Sequence, residues 1–139
     1  MFFNYNKSDI ERVMCKNQNI ECSIEGKIYY SFLPNPRIII KNLEIQDFAN
    51  KNNTLAKVDK AIIKLSIIKL LETKTQNFKK IELKDFTIDF NLKNIKKYKN
   101  FSVNKNNFIP LSFKNGKIKF FDDKNYVATI EDANLNLTY

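Results

Sequence analysis

Apolar side chains occupy every second position from residue 20 to residue 32, and this alternation constrains the fold more than any other feature of the sequence. It predicts a β-strand with one face against a core and the other face in solvent. Gly26, in the middle of the run, indicates a bend or the close approach of another backbone. Pro34 and Pro36 end the strand, because proline removes a ladder donor and fixes φ. The alternating positions are Ile20, Cys22, Ile24, Gly26, Ile28, Tyr30 and Phe32.

Further strands are predicted at about 38–45, 55–65, 81–92, 111–120 and 127–139. In several of them the apolar phase slips by one residue, and a β-bulge absorbs such a slip without turning the strand over. The predicted fold is therefore mainly β with α+β character. We expect an antiparallel, twisted or curved open sheet of about six bulged strands.

Two short helical segments complete the predicted fold. Ser8 and Glu11 have the spacing of a capping box at the start of an amphipathic stretch, which predicts a short N-terminal helix from about 9 to 16. Ser66 predicts the cap of a helical turn over 67–72, directly after the third strand.

An internal repeat is indicated by the strand pattern. The motif Ile38-x-Ile40-Lys41-Asn42-Leu43-x-Ile45 is matched at 81–88 and again at 111–118. A second pattern, at 55–65, has the apolar spacing of 127–137. Because the two patterns follow one another at nearly the same distance, 38–65 and 111–137 are predicted to be one strand–turn–strand unit used twice.

A single domain, residues 1–139, is expected from these patterns. Its predicted parts are a helical section at 1–18, a first sheet section at 19–92, a polar loop at 93–108 and a repeat hairpin at 109–139. The loop is indicated by a run of lysine and asparagine.

The formal net charge of +9 favours an anionic partner, such as nucleic acid, phospholipid headgroups or an acidic protein. The lysines are spread along the chain, however, and arginine occurs only at Arg12 and Arg37. A general bias of the coding sequence towards lysine explains this distribution better than a dedicated anion site. Phenylalanines among the lysines could imitate a platform for single-stranded nucleic acid. Their alternation with isoleucine is more typical of a core, so no nucleic-acid partner is expected.

No catalytic residue, metal ligand or cofactor site is predicted, so the chain is not expected to be an enzyme. It has no histidine, the usual general base and the commonest metal ligand. No glycine-rich loop is present to bind a phosphate. The acidic pairs at 122–123 and 131–132 fall on predicted turns or solvent-facing strand positions, which favours solvated surface.

Cys15 and Cys22 have no metal-site spacing and cannot form a disulfide framework for a domain of this size. Two reduced thiols, with Cys22 on the apolar face of a strand, are the favoured interpretation. A Cys15–Cys22 disulfide is the alternative if the chain is periplasmic.

Three consecutive motifs carry a family resemblance. They are Ile24-Glu25-Gly26-x-Ile28, Ser31-x-Leu33-Pro34-x-Pro36-Arg37 and Ile40-x-x-Leu43-x-Ile45. Together they resemble the amino-terminal signature of AsmA-like proteins, which are related to TamB and to chorein-type bridge proteins. The resemblance covers roughly 8–139, and its most specific part is 26–36.

The resemblance implies an envelope protein that handles lipid without catalysis. AsmA-like proteins are anchored by an amino-terminal helix in the inner membrane of Gram-negative bacteria. Their periplasmic β-sheet groove is thought to carry phospholipids and to serve outer-membrane biogenesis. No apolar run in this chain approaches the roughly 20 residues of a membrane helix. We therefore expect a fragment or truncated product of a longer repeat-containing protein, with a membrane helix missing upstream.

Phospholipid acyl chains are the partner that the resemblance implies. A structural or assembly β-domain without ligand is the first alternative, and a basic nucleic-acid-binding module is the second. The candidate groove residues are Ile81, Leu83, Phe86, Ile88, Phe90, Leu111, Phe113, Ile118, Phe120, Leu135 and Leu137.

Overall fold

The computed structural model describes residues 5–16, 19–66, 78–101 and 108–138. This part of the chain forms a mainly-β open sheet with two short α-helices, which confirms the predicted fold class. The helical turn predicted over 67–72 lies outside the described residues. The elements are α1 (Lys7–Met14), β1 (Cys22–Ile24), β2 (Ile28–Ser31), β3 (Arg37–Gln46), β4 (Thr54–Leu65), β5 (Phe78–Asn91), α2 (Ile95–Lys99), β6 (Leu111–Asp122) and β7 (Asn125–Leu137).

The strands follow the order β1-β3-β4-β5-β6-β7, and β2 also pairs with β3. All pairs are antiparallel except β5 and β6, which run parallel. The sheet is therefore mixed. The prediction of an antiparallel sheet is wrong for the pair of β5 and β6. A parallel pair needs a crossover connection instead of a hairpin. This connection contains α2 at Ile95–Lys99, inside the segment that was predicted to be a loop.

The first predicted strand is interrupted at Gly26, which separates β1 from β2. The Gly26 amide donates to the Lys41 carbonyl of β3 over 3.1 Å. A Cβ at Gly26 would lie only 2.5 Å from that oxygen. The close approach of another backbone, predicted from the sequence, is therefore present, and it leaves no room for a side chain.

Residues in the left-handed region mark phase slips in four strands. Asparagine and aspartate adopt this conformation more readily than other residues with a Cβ. At each of them the apolar positions of the strand shift by one residue, so the apolar side chains stay on the same face. The pairing of β3 to β6 keeps its register across this row, and extra residues are inserted only in the β6–β7 pair, near Asn115 and Asp132. A side-chain contact links two of these residues, because Asn115 Nδ2 donates to Asp85 Oδ1 over 2.6 Å. The four residues are Asn42 (φ 55°), Asp85 (φ 55°), Asn115 (φ 56°) and Asp132 (φ 52°).

The three copies of the first motif lie in register across the sheet. Ile38, Ile81 and Leu111 begin the copies and share one transverse row with Ile63 and Leu137. Ile40, Leu83 and Phe113 occupy equivalent places in the next row, and all three strands run in the same direction. The sequence repeat is thus also a spatial repeat.

The second pattern recurs in its spacing but not in its register. Val58 of β4 pairs with Leu43, whereas its sequence equivalent Ile130 of β7 pairs with Ile118, one row further along. The two hairpins therefore follow the same order of strands with different pairing. The connections also differ, since residues 47–53 join β3 to β4 whereas residues 123–124 join β6 to β7.

Helix α1 begins two residues earlier than its predicted capping box. The side chain of Asn6 accepts from the Asp9 amide over 2.8 Å, and Asp9 Oδ2 accepts from the Asn6 amide over 3.3 Å. Ser8 lies within the first turn and is not the cap. The reciprocal spacing is the same as predicted, but an Asn–Asp pair provides it instead of Ser–Glu.

A disulfide between Cys15 and Cys22 joins the end of α1 to β1, with the two Cα atoms 6.0 Å apart. The favoured interpretation of two reduced thiols is therefore wrong, and the alternative holds. Glu11 adds a second link, because its carboxylate accepts from the Ile24 amide over 3.0 Å. The helix thus covers the β1 edge of the sheet and satisfies one of its open donors.

Candidate lipid-binding face

The sheet has one apolar face, defined by the motif residues and by the side chains paired with them across the strands. Side chains paired across neighbouring strands point to the same side of a sheet. Ile10 and Val13 of α1 belong to the same hydrophobic cluster as Ile38 and Ile40, so α1 packs on this face. The opposite side, called the polar face below, carries most of the lysines of the strands.

Burial falls from β3 to β7 along two rows of the apolar face, whereas the row through Leu43 and Phe86 stays buried as far as Ala133 of β7. In the row that starts at Ile40, the exposed fraction is 0% for Ile40, 2% for Leu83 and 41% for Leu135. The neighbouring row shows the same trend, from 0% at Ile38 to 48% at Leu137. The apolar face is therefore a closed core near α1 and an open apolar surface near β7.

All eleven predicted groove residues lie on this face, but they divide into three groups by burial. Ile81, Leu83 and Phe86 belong to the closed core and present almost no surface to a ligand. Leu135 and Leu137 are exposed. The half-buried residues are Ile88, Phe90, Leu111, Phe113, Ile118 and Phe120. The open surface is thus formed by β6, β7 and the end of β5.

Ile130 is a candidate that the sequence reasoning did not include. It pairs with Ile118 and is 50% exposed on the apolar face. The repeat pattern contained the signal, since Ile130 is the second residue of its copy at 127–137. It was missed because the candidate set followed the first motif and the last residues of β7.

Phe86 and Gly116 form the boundary between the closed and the open half. A Cβ at Gly116 would overlap the Phe86 ring, so the ring lies directly over the glycine of the next strand. The same ring meets the edge of Phe113, with centroids 5.2 Å apart. The missing side chain on β6 therefore allows a phenylalanine from β5 to complete the core.

An aromatic cluster from α2 closes one end of the apolar face. The Tyr98 ring lies 4.5 Å from that of Phe90, and Phe48 stacks on Phe101 at 4.6 Å. The Tyr98 hydroxyl donates to Asp47 Oδ2 over 2.9 Å. Burial, together with this hydrogen bond to Asp47, raises the pKa of Tyr98 to about 12. Tyr98 therefore stays protonated and holds α2 against the β3–β4 loop.

Four phenylalanines of β5 and β6 lie on the opposite side of the sheet from most of the lysines, whereas Phe121 lies on the lysine side, beyond the pair of Asp89 and Lys119. Phe86, Phe90, Phe113 and Phe120 belong to the apolar face, while Lys84 and Lys114 pair with each other on the polar face. A stacking platform needs rings and cations in one groove. The geometry does not form such a platform from these residues.

The acidic pairs at 122–123 and 131–132 are exposed. Asp123 lies 3.5 Å from Lys93, and Glu131 lies 3.9 Å from Lys117, both at ion-pair distance. Within the ranges that the structure describes, no group of three His, Cys, Asp or Glu side chains could hold a metal ion.

Comparison of the chain with protein-family models, with curated proteins and with solved structures gave no match. The AsmA-like assignment therefore stays a proposal based on the three motifs. None of the helices in the described part of the chain is long and apolar enough to cross a bilayer.

Proposed function

We propose that this chain is a non-catalytic lipid-handling module of the AsmA type, which holds a phospholipid acyl chain on the open half of its apolar face. The fall in burial from Ile40 to Leu135 along one row carries the proposal. An ordinary core would be covered at both ends of the row. Exposed apolar residues in contiguous rows are typical of an interaction site.

The size of the open surface supports an acyl chain as the ligand. Ile130 and Leu137 are both half exposed on β7, with the buried Ala133 between them. Seven residues of extended strand span about 23 Å, a distance suited to an extended acyl chain. Burial of about eight methylenes contributes roughly 6 kcal/mol, which corresponds to a dissociation constant of tens of micromolar before ordering costs.

The disulfide supports the proposed compartment. Cysteine pairs persist as disulfides in the periplasm and in other oxidising environments, and they are rare in the cytosol. The Cys15–Cys22 bond therefore agrees with the location that the resemblance implies, the periplasmic side of an inner membrane.

Lipid extraction from matched variants tests this function. The variant Ile130→Glu/Leu137→Glu places two carboxylates on the open apolar surface, where they should reduce the bound phospholipid at least tenfold. The control Asn125→Glu/Thr138→Glu adds the same charge at exposed polar positions of the same region. Each protein is incubated with phosphatidylglycerol and phosphatidylethanolamine vesicles and re-isolated, and its lipid is then quantified by mass spectrometry. Equal lipid on both variants, or none on the wild type, would refute the proposal.

A structural β-domain is the second candidate, and the position of β7 favours it. β7 is the last strand in the order of the described sheet, with apolar residues exposed along it. Such an edge can accept another strand through its ladder groups. In that case the wild type would carry no phospholipid. Its sedimentation coefficient would rise with concentration, and Ile130→Glu/Leu137→Glu would suppress the rise.

A further inference from the structure

Two rows of cations lie on the polar face with one non-cationic row between them, although their residues are far apart in the sequence. The first row crosses β3, β4, β5 and β6, and its members pair directly with their neighbours. The second row crosses β3, β4 and β5. Neighbouring strands are about 4.8 Å apart, so the fold gathers these charges into one patch. The rows are Lys41–Lys60–Lys84–Lys114 and Arg37–Lys64–Lys80.

Among the residues that the structure describes, little negative charge balances this patch. Glu82 is the one carboxylate in the row between the two cationic rows, and its Oε1 lies 3.1 Å from Lys64 Nζ and 3.5 Å from Lys114 Nζ. Within the described ranges, Lys41, Lys60 and Lys84 form no ion pair. Asp59 precedes Lys60 on β4, and Asp85, with a positive φ, follows Lys84 on β5. Like charges placed directly opposite one another destabilise a sheet, so the arrangement has a cost in stability.

We propose that the polar face docks onto the anionic surface of a lipid bilayer through these two rows. The cations form a two-dimensional array on a sheet face, and headgroup phosphates also form a two-dimensional array. Lysine is a flexible point charge that follows such a surface, and each lysine near anionic lipid contributes to binding. The side chains of Lys64 and Lys114 are 44% and 46% exposed, so their ammonium groups can reach a surface.

Nucleic acid fits the patch less well. Single-strand binding combines cations with aromatic rings on which bases stack. Here Phe86 and Phe113 lie on the other side of the sheet. Arg37 is the one arginine of the two rows, so the patch offers few of the planar forks that bind phosphate in two places. The row between the two cationic rows also offers no aromatic ring on which a base could stack. It consists of Ile39, Ile62, Glu82, Ser112 and Asn136.

Vesicle co-sedimentation of the full chain tests the docking surface. The variant Lys41→Gln/Lys60→Gln/Lys84→Gln removes three charges from the first row and leaves the two ion pairs of Glu82 in place. The control Lys96→Gln/Lys99→Gln/Lys124→Gln removes three charges from exposed lysines in α2 and in the β6–β7 turn. On phosphatidylglycerol vesicles at low salt, the first variant should bind on the order of 100-fold more weakly than the wild type. The control should lose less than tenfold.

Three outcomes would overturn the proposal. In the first, both variants lose affinity equally, which would mean that net charge alone drives binding. In the second, the wild type binds phosphatidylcholine vesicles as tightly as phosphatidylglycerol vesicles. In the third, it binds a single-stranded oligonucleotide more tightly than anionic vesicles at the same ionic strength. Urea unfolding confirms that each variant is folded. Docking of the polar face does not rest on acyl-chain binding. Ile130→Glu/Leu137→Glu changes only the apolar face. Its vesicle affinity should therefore stay within about threefold of that of Asn125→Glu/Thr138→Glu, which carries the same two added charges.

Discussion

At the scale of single residues, Gly116 explains why a large aromatic side chain can close the core. The glycine lies beneath the Phe86 ring, so Gly116→Ala should cost about 1–3 kcal/mol of unfolding free energy through overpacking. Phe86→Leu should relieve this cost, and a double-mutant cycle measured by urea unfolding will show the coupling. Gly26→Ala is the control, since its clash is with a backbone carbonyl that Phe86→Leu cannot move. Additive free energies for Gly116→Ala and Phe86→Leu would contradict the packing.

The carboxylate of Glu82 should make the unfolding free energy depend on pH. Its burial acts to raise its pKa, but the hydrogen bond and charge of Lys64, with the charges of Lys114 and Lys84, outweigh burial and lower the pKa from 4.5. A lowered pKa stabilises the fold above the ordinary value, and this contribution is lost as the pH falls through 4.5 towards the folded value. The unfolding free energy of Glu82→Gln should therefore depend less on pH between about 5 and 3 than that of the wild type. An unchanged slope for Glu82→Gln would contradict the assignment.

At the scale of elements, the disulfide between α1 and β1 is the main covalent constraint on the closed half. Loss of this short loop closure should cost about 2–3 kcal/mol by the chain-entropy model. Cys15→Ser/Cys22→Ser should lower the unfolding free energy by that amount and so lower the urea midpoint, and dithiothreitol should lower both equally for the wild type. The double variant should not respond to dithiothreitol. A wild-type midpoint that is insensitive to full reduction would mean that packing of Ile10 and Val13 alone holds the helix.

Local patterns predicted the elements well, while their long-range pairing lay beyond them. Each slip in apolar phase coincides with Asn or Asp, and Asn42 and Asp85 adopt positive φ where the slip was expected. The bulge predicted there is wrong, because the pairing keeps its register and no extra residue is inserted. Strand direction has no signature in a period of two, so the parallel pairing of β5 and β6 could not be read from the sequence. The spacing of Cys15 and Cys22 does not reveal whether the environment of the chain is oxidising or reducing, so it could not decide between thiols and a disulfide. The lysine rows were missed because register sets them, and the four members of the first row span residues 41–114.

At the scale of the whole molecule, the sheet separates its two proposed activities onto opposite faces. The apolar face closes under α1 and opens towards β7, while the polar face carries the cationic rows on β3 to β6. A side chain substituted on one face therefore makes few direct contacts with side chains on the other face. The two sets of variants should act independently, with additive effects on acyl-chain and vesicle binding.

Hydrogen exchange can test the asymmetry between the closed and open halves in the whole chain. Amides of β3 and β4 lie between paired strands over the closed core and should exchange slowest, whereas β7 should exchange fastest among the strands.

Phospholipid at tenfold above its dissociation constant should slow exchange in β6 and β7 about tenfold, because opening these strands releases the ligand. Ile130→Glu/Leu137→Glu should abolish that slowing, and Asn125→Glu/Thr138→Glu should retain it. Slowing limited to α1 and β1, with β6 and β7 unchanged, would place the lipid against the disulfide-linked edge and contradict the open apolar face as its site.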